Sequence, residues 1–353
     1  MFVLASGAAM VYGQSVEFAG QVLDQQTKEP VTGANVYIGG TTQGSITDLD
    51  GRFSFSASIL ESAELVVSFV GYHSVSLPVH PQNAGQYTEL SIELEQASID
   101  LGDVVVSADN SQWMRHFQRF RSEFLGQNEF AEKAVIENRW VLDFVQKANG
   151  ELLATAAEPI VIRNHALGYV VTAALGKFEW ALTARTGFLS MHLNFEEMVP
   201  VNRSQMREWQ SNRSKAYEGS LRHFLKSLFN GEHRRERFTV VEKDGSRAAH
   251  IIELEQSLPV ARLLLRYNLP ASALNRDVKA FATHGPVDVL YGREPATRMD
   301  IDRRTRSALV PQHRERVFLV RKDGTLVDPG DVGIQGVWST HRLAHQLPPD
   351  FEP

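Results

Sequence analysis

The stretch FAGQVLDQQTKEPVTGANVYIGGTTQGSITDLDGRFSFSASILESAELVVSFVGYHSVSLPV, residues 18–79, closing in YTELSIELE at 87–95, decides how the chain is read. Six short runs alternate apolar with small or polar residues: Phe18 to Leu23, Asn35 to Ile38, Gly51 to Phe55, Leu65 to Phe69, Ser74 to Leu77 and Leu90 to Leu94. A period of two sends one side of each run into a core and the other into water, so each is expected to be a strand. Val36 and Ile38 share a face, as do Phe53 and Phe55, and Leu90, Ile92 and Leu94. Between the runs stand Pro30, Gly33, Gly39-Gly40, the Asp48 to Gly51 turn and Gly71, residue types that supply the fixed or positive φ of a reversal. Short strands at this spacing predict an antiparallel β-sandwich over residues 15–95.

Three motifs in this stretch also carry a resemblance. Gly20 to Val36 reads G-x-V-x-D-x-x-[ST]-x-x-P-[VL]-x-G-A-x-V, Thr47 to Phe55 reads T-D-x-D-G-x-F-x-[FL], and Val67 to Tyr72 reads V-S-F-V-G-Y. In that order they resemble the carboxypeptidase-like regulatory domain. The resemblance implies a transthyretin-like Greek-key sandwich of the kind fused to metallocarboxypeptidases and to TonB-dependent receptors, where it is an accessory, so it does not make this chain a peptidase. Asp48 and Asp50 with Gly51 could open a Ca²⁺ loop, but the other oxygen ligands and the closing Glu of an EF-hand are missing, and a hairpin turn is the expected role.

Length and composition set the outer bounds. The 353 residues suffice for two domains, and 43% hydrophobic with 22% charged residues is a globular balance. A net charge of −6 gives no electrostatic reason to bind nucleic acid, and with no cysteine there is no disulfide, thiolate metal site or catalytic thiol. Phe2 to Tyr12 is a short apolar run before Gly13-Gln14 that lacks a basic start; residues 1–14 are expected to be a truncated signal peptide. No window is long or apolar enough for a transmembrane helix.

Residues 96–110 read as a linker, ending in a β-branched run that resembles the L-x-[ED]-V-V-V segment after this module in outer-membrane receptors. A β-rich α+β domain with two prominent helices is expected over 111–353. In the first helix, capped by Asn110 or Ser111 and ended by Gly126, Trp113, Phe117, Phe120 and Phe124 fall at helical spacing, a core face. Residues 134–198 are rich in Val, Ile, Phe and Trp broken by Gly and Asn, which predicts an antiparallel sheet. The second helix starts at Asn202, with Gln205 at capping-box spacing, and is expected to run unbroken to Asn230-Gly231. Lys243-Asp244-Gly245 and Lys322-Asp323-Gly324 predict two hairpins, and Asp277 to Leu290 a further strand pair. Trp338 and Leu347-Pro348-Pro349 are expected to pack the tail. The strings FLGQNEFAEKAVIEN, EPIVIRNHALGY and YEGSLRHFL resemble a domain, without an established activity, that follows the regulatory module in other envelope proteins of Gram-negative bacteria.

Catalytic constellations are incomplete. There is no H-E-x-x-H, no G-x-S-x-G elbow, no S-x-x-K set and no P-loop lysine beside Gly39, Gly40 and Gly44. His341 and His345 lie four apart without a third ligand or an acidic base. No catalytic, cofactor-binding or metal residue and no cofactor is therefore expected. The one local charge excess runs from Arg293 to Lys322; Arg298, Arg303, Arg304 and Arg306 form a candidate binding patch for an acidic glycan, a lipopolysaccharide headgroup or a partner protein, with a solvated sheet edge as the alternative. The expectation is a non-catalytic exported protein of the periplasm or outer membrane acting in binding or assembly, with an envelope protein or glycan as partner. The competing class is a hydrolase of peptides or glycans whose carboxylates meet only on folding, Glu196-Glu197 or Asp300 and Asp302.

Overall fold

The protein was analysed as a computed structural model that describes residues 14–59, 63–69, 72–96, 110–147, 149–181, 186–242, 249–267, 269–292 and 306–353. Residues 1–39 with 43–98 form one compact unit, and residues 40–42 with 99–353 form a second. Residues 1–13 of the expected signal peptide, the β-branched end of the linker, and Arg298, Arg303, Arg304, Asp300 and Asp302 lie outside the described residues, while Gln14 opens the first strand.

The first unit is a β-sandwich. Its strands are β1 (Gln14–Asp24), β2 (Asn35–Ile38), β3 (Gly44–Ile46), β4 (Arg52–Ile59), β5 (Ala63–Ser68), β6 (Val75–Val79) and β7 (Leu90–Leu94). One sheet has the order β4-β1-β7 and the other β3-β2-β5-β6. The alternation seen in the sequence becomes burial: Val16, Phe18, Val22, Phe53, Ile92 and Leu94 point into a common core with Val36, Leu65 and Val67. Phe18 stacks between Phe55 and Tyr87, with ring centroids 5.2 and 5.4 Å away. One pairing departs from the all-antiparallel expectation. β7 runs parallel to β1, from Gly20 opposite Leu90 to Asp24 opposite Leu94. The chain leaves β6 in one sheet, passes through the 3₁₀ segment Pro81–Gln86 and enters the other sheet. A crossover of that kind, unlike a hairpin, permits a parallel partner.

The second unit opens with α1 (Asn110–Leu125) and α2 (Glu129–Glu132). A six-stranded antiparallel sheet follows: β8 (Ala134–Ile136), β9 (Leu142–Gln146), β10 (Glu151–Ala156), β11 (Ile160–Asn164), β12 (Tyr169–Ala181) and β13 (Thr186–Glu197). Phe117, Phe120 and Phe124 of α1 are buried on this sheet, Phe120 edge-on to Phe178 with centroids 4.9 Å apart. Burial of one such ring is worth about 2–3 kcal/mol. Gly126 ends α1 at φ +99°, a conformation that favours glycine.

The second prominent helix is not continuous. It divides into α3 (Arg203–Tyr217) and α4 (Leu221–Phe229). Gly219 adopts φ +72°, and the Ser220 side chain accepts from the His223 amide to start α4 afresh. The apolar periodicity continues across the break and masked it, although α3 buries Ala216 in the core of the six-stranded sheet and α4 buries Phe224, Leu225, Leu228 and Phe229 in another. Asn202 does cap α3, accepting from the Gln205 amide at 2.9 Å, but the Gln205 side chain reaches back to Val201 instead of the cap residue.

The remaining strands are β14 (Phe238–Glu242), β15 (Ile252–Leu254), β16 (Val278–Ala282), β17 (Val287–Tyr291), β18 (Arg306–Pro311), β19 (Val317–Arg321) and β20 (Val332–Gly336). They form two sheets, β14-β17-β18-β20 and β15-β16-β19. The expected partners are therefore exchanged: β14 pairs with β17 and β15 with β16, while β16 and β17 part into different sheets. Among the described residues the Ala249 amide bonds back to Val240, and the expected Lys243-Asp244-Gly245 turn lies outside the described residues. A turn signal sets a reversal but not which edge the returning strand joins. α5 (Leu258–Arg266) has no sequence-derived expectation; it buries Val260, Leu263 and Leu264 on β19 and β16. The tail is held as expected. Trp338 is buried and donates to the Gly219 carbonyl, and Arg222 donates to the carbonyls of Pro348, Pro349 and Phe351.

Candidate functional site

In the sandwich the motif residues act on one another. The Asp24 carboxylate, at the end of β1, accepts from the Gln26 and Thr27 amides at 2.8 and 2.7 Å, and from Tyr72 Oη and Gln96 Nε2, both at 2.8 Å. Four donors, the Thr27 amide first among them, hold its pKa well below the usual carboxylate range. The first and third motifs thus meet at one anion. Thr47, in the second motif, is buried; its hydroxyl donates to Val31 and accepts from the Ala34 amide. Asp48 Oδ1 accepts from the Asp50 and Arg52 amides, and Gly51 sits at φ +68° with its Cβ position 2.6 Å from the Val22 carbonyl. The Asp48 carboxylate is thus committed to a turn.

What the sandwich offers a ligand is a groove of about 640 Å³ beside β3 and β4, lined by Gln21, Ser45, Ile46, Arg52 and Leu90. Gly20 belongs to its floor, and a Cβ there would fall 2.2 Å from the Leu90 carbonyl oxygen. Ile46 and Leu49 are exposed at 63% and 85%. Apolar side chains beside Arg52 and Ser45 make an amphipathic surface suited to contact rather than to chemistry.

A second cleft, of about 490 Å³, lies in the second unit among Tyr169, Glu197, Arg213, Asp350 and Phe351. Arg213 is fixed there: its guanidinium lies 4.0 Å from the Tyr169 ring centre, donates to the Leu167 and Gly168 carbonyls, and pairs with Glu197 at 3.0 Å. Burial pushes the Tyr169 phenol up to about 12. Glu196 and Glu197 are consecutive on β13, so their side chains leave opposite faces of the sheet and do not converge on one substrate. Arg306, the described member of the arginine patch, opens β18 and pairs with the buried carboxylate of Asp288. His341 and His345 stack, with ring centroids 3.6 Å apart. The Asn128 side-chain oxygen caps α2, so its NH₂ group must face His345 Nδ1 at 3.2 Å. His345 is thereby fixed as the tautomer whose Nε2–H donates to the Ala216 carbonyl at 3.0 Å. No group of three or more His, Asp or Glu side chains placed to hold a metal ion occurs among the described residues. Sequence reasoning missed the Asp24–Tyr72–Gln96 cluster; its signal was the aspartate and tyrosine inside separate motifs.

Residues 18–106 match the family model of the CarboxypepD_reg-like domain, and the sandwich is such a domain. Over 71 residues, 20% of this chain, the sequence is 48% identical to the TonB-dependent receptor SusC of Bacteroides thetaiotaomicron. The aligned part spans 7% of that receptor's length. Among solved structures, 3-chlorocatechol 1,2-dioxygenase from Rhodococcus opacus 1CP aligns with 24% of this chain and 61% of its own at 12% identity and a TM-score of 0.18. A protein of unknown function from Bacteroides fragilis aligns with 54% of this chain and 84% of its own at 12% identity and a TM-score of 0.19. Scores that low carry no argument about fold or activity. Among the described residues no helix is long and apolar enough to cross a membrane, which says nothing of a β-barrel.

Proposed function

We propose that the chain is an exported, non-catalytic cell-envelope protein that acts in binding or assembly at the periplasm or outer membrane. The observation that carries this reading is the 48% identity, over 71 residues, to a TonB-dependent receptor's regulatory-type module. Two features of the site support it. The motif residues Asp24, Thr47, Asp48 and Tyr72 are spent on backbone and on each other, and the sandwich presents an open groove with exposed Ile46 on its lining in place of a converging set of reactive groups. The partner that fits is an envelope protein offering an apolar-polar surface, with a glycan as the other occupant of the same groove.

The test is fractionation of cells expressing the tagged chain, followed by crosslinking from a photoreactive residue at position 46. Recovery in the periplasmic or outer-membrane fraction, with a crosslinked partner lost in Arg52→Glu, is the expected result. Recovery in the cytoplasm, or cleavage of peptide or glycan substrates by the purified chain, would overturn the reading.

A further inference from the structure

The cleft of about 490 Å³ in the second unit falls inside the range of roughly 300–1,000 Å³ usual for small-ligand sites. Tyr169 borders it while only 1% exposed, and its hydroxyl has no hydrogen-bond partner among the described residues. That hydroxyl is not sealed either, so the cleft is where it meets solvent. Burial raises the phenol pKa first, and the Glu197 and Asp350 carboxylates raise it further, which sets both of these cleft carboxylates near the hydroxyl. Arg213 is the rigid neighbour. Three of its five N–H groups go to Leu167, Gly168 and Glu197, and one on each terminal nitrogen is left over. Glu197 spends Oε1 on Arg213, while its Oε2 has no partner among the described residues. The exposed Gln210 side chain, on α3, adds a donor and an acceptor to the same lining.

The charges of the cleft are already met. Glu197 pairs with Arg213 at 3.0 Å and Glu352 with Lys226 at 2.7 Å. Asp350, whose Oδ2 accepts from the Thr42 hydroxyl, lies in the field of the partly buried Arg222 guanidinium. Neither a phosphate nor an ammonium group would find an unmatched opposite charge there. What remains is a set of unspent hydrogen-bonding groups beside an apolar wall of Pro348 and Phe351, held in place by Arg222, which donates to both of their carbonyls. We infer that the cleft binds a neutral saccharide, with the C–H face of a pyranose ring on Phe351 and its hydroxyls on Tyr169 Oη, Glu197 Oε2 and the Gln210 amide. A sugar hydroxyl both donates and accepts, so it satisfies a phenol, a carboxylate oxygen and an amide in turn, and the apolar C–H face suits an aromatic ring. Sugar binding here goes beyond the envelope reading and is independent of where in the cell the chain works.

The test is saturation-transfer difference NMR with calorimetry on the full chain, using a panel of neutral oligosaccharides: dimers to tetramers of glucose, mannose, xylose and N-acetylglucosamine. Binding of at least one series is expected, with saturation strongest on the ring C–H protons and with inorganic phosphate and spermidine failing to compete. Tyr169→Phe keeps the ring under Arg213 and removes only the hydroxyl, so it should fold with wild-type tryptophan emission and bind about three- to tenfold more weakly. Gln210→Ala, at an exposed position of α3, should weaken binding by a similar factor. Glu196→Gln, on the opposite face of the sheet, and Arg52→Glu, in the sandwich groove, should leave it unchanged. Failure of every neutral sugar to bind, or wild-type affinity in both Tyr169→Phe and Gln210→Ala, would overturn the proposal. Loss of sugar binding in Arg52→Glu alone would move the ligand to the sandwich groove and overturn it equally.

Discussion

Acidification should destabilise the second unit through the stacked histidines. In an unfolded chain each imidazole titrates near ~6.5. In the folded protein, burial pushes His341 down to about 4 and His345, which also faces His341, down to about 3. A lowered folded-state pKa means that the unfolded chain takes up protons the folded chain refuses. The pair's contribution is therefore complete above about pH 7.5, is lost as pH falls through 6.5, and stops changing below about 3. At pH 5 each unfolded ring gains about 2 kcal/mol from protonation, so the pair removes about 4 kcal/mol. Against a total stability of about 5–15 kcal/mol, that loss is large. Burial also lowers His116, His223 and His233, with the same sign, so the pair must be isolated by substitution. All five tryptophans lie beyond residue 110, so their fluorescence reports the second unit alone. Urea titrations between pH 5 and 6.5 should show His341→Phe, which keeps a stacking ring, with a pH slope shallower by about 1.1 kcal/mol per pH unit. An unchanged slope, or a wild-type protein equally stable at pH 5 and 7, would refute the reasoning.

Other expected outcomes follow from single contacts. Tyr72→Phe removes one donor from Asp24, so the carboxyl pKa should rise toward its ordinary value in a ¹³C titration, and the sandwich should be less stable than wild type at neutral pH but lose less of its stability than wild type as pH falls below about 4. Phe120→Ala empties a fully buried position beneath the six-stranded sheet and should cost about 3–5 kcal/mol by urea unfolding. Gly168→Ala would place a Cβ 2.3 Å from the Trp209 ring at φ +71°, and should cost about 2–4 kcal/mol with a change in tryptophan emission. Asn128→Ala removes the α2 cap and the His345 contact together, and should cost about 1–2 kcal/mol at pH 7.

The local grammar of this protein is legible in its residues. Alternation along 18–94 names the strands and their inward faces, and the three motifs name the sandwich's family, because strand periodicity and turn geometry depend on neighbours within a few positions. The aromatic spacing of α1 names its buried face for the same reason. Glutamates 196 and 197 can already be separated by the pleat, since neighbours on a strand point opposite ways.

Partner choice is a different matter. The parallel match of β7 to β1, the exchange of partners among β14 to β17 and the break at Gly219 depend on which surfaces meet across many residues, and a turn or an apolar stripe is compatible with several such meetings. The clusters have the same origin: Asp24 with Tyr72 and Gln96, Asn128 with His345, and Tyr169 with Arg213 and Glu197. Each joins residues whose types are unremarkable in sequence and whose chemistry appears only when burial removes water and leaves them one another.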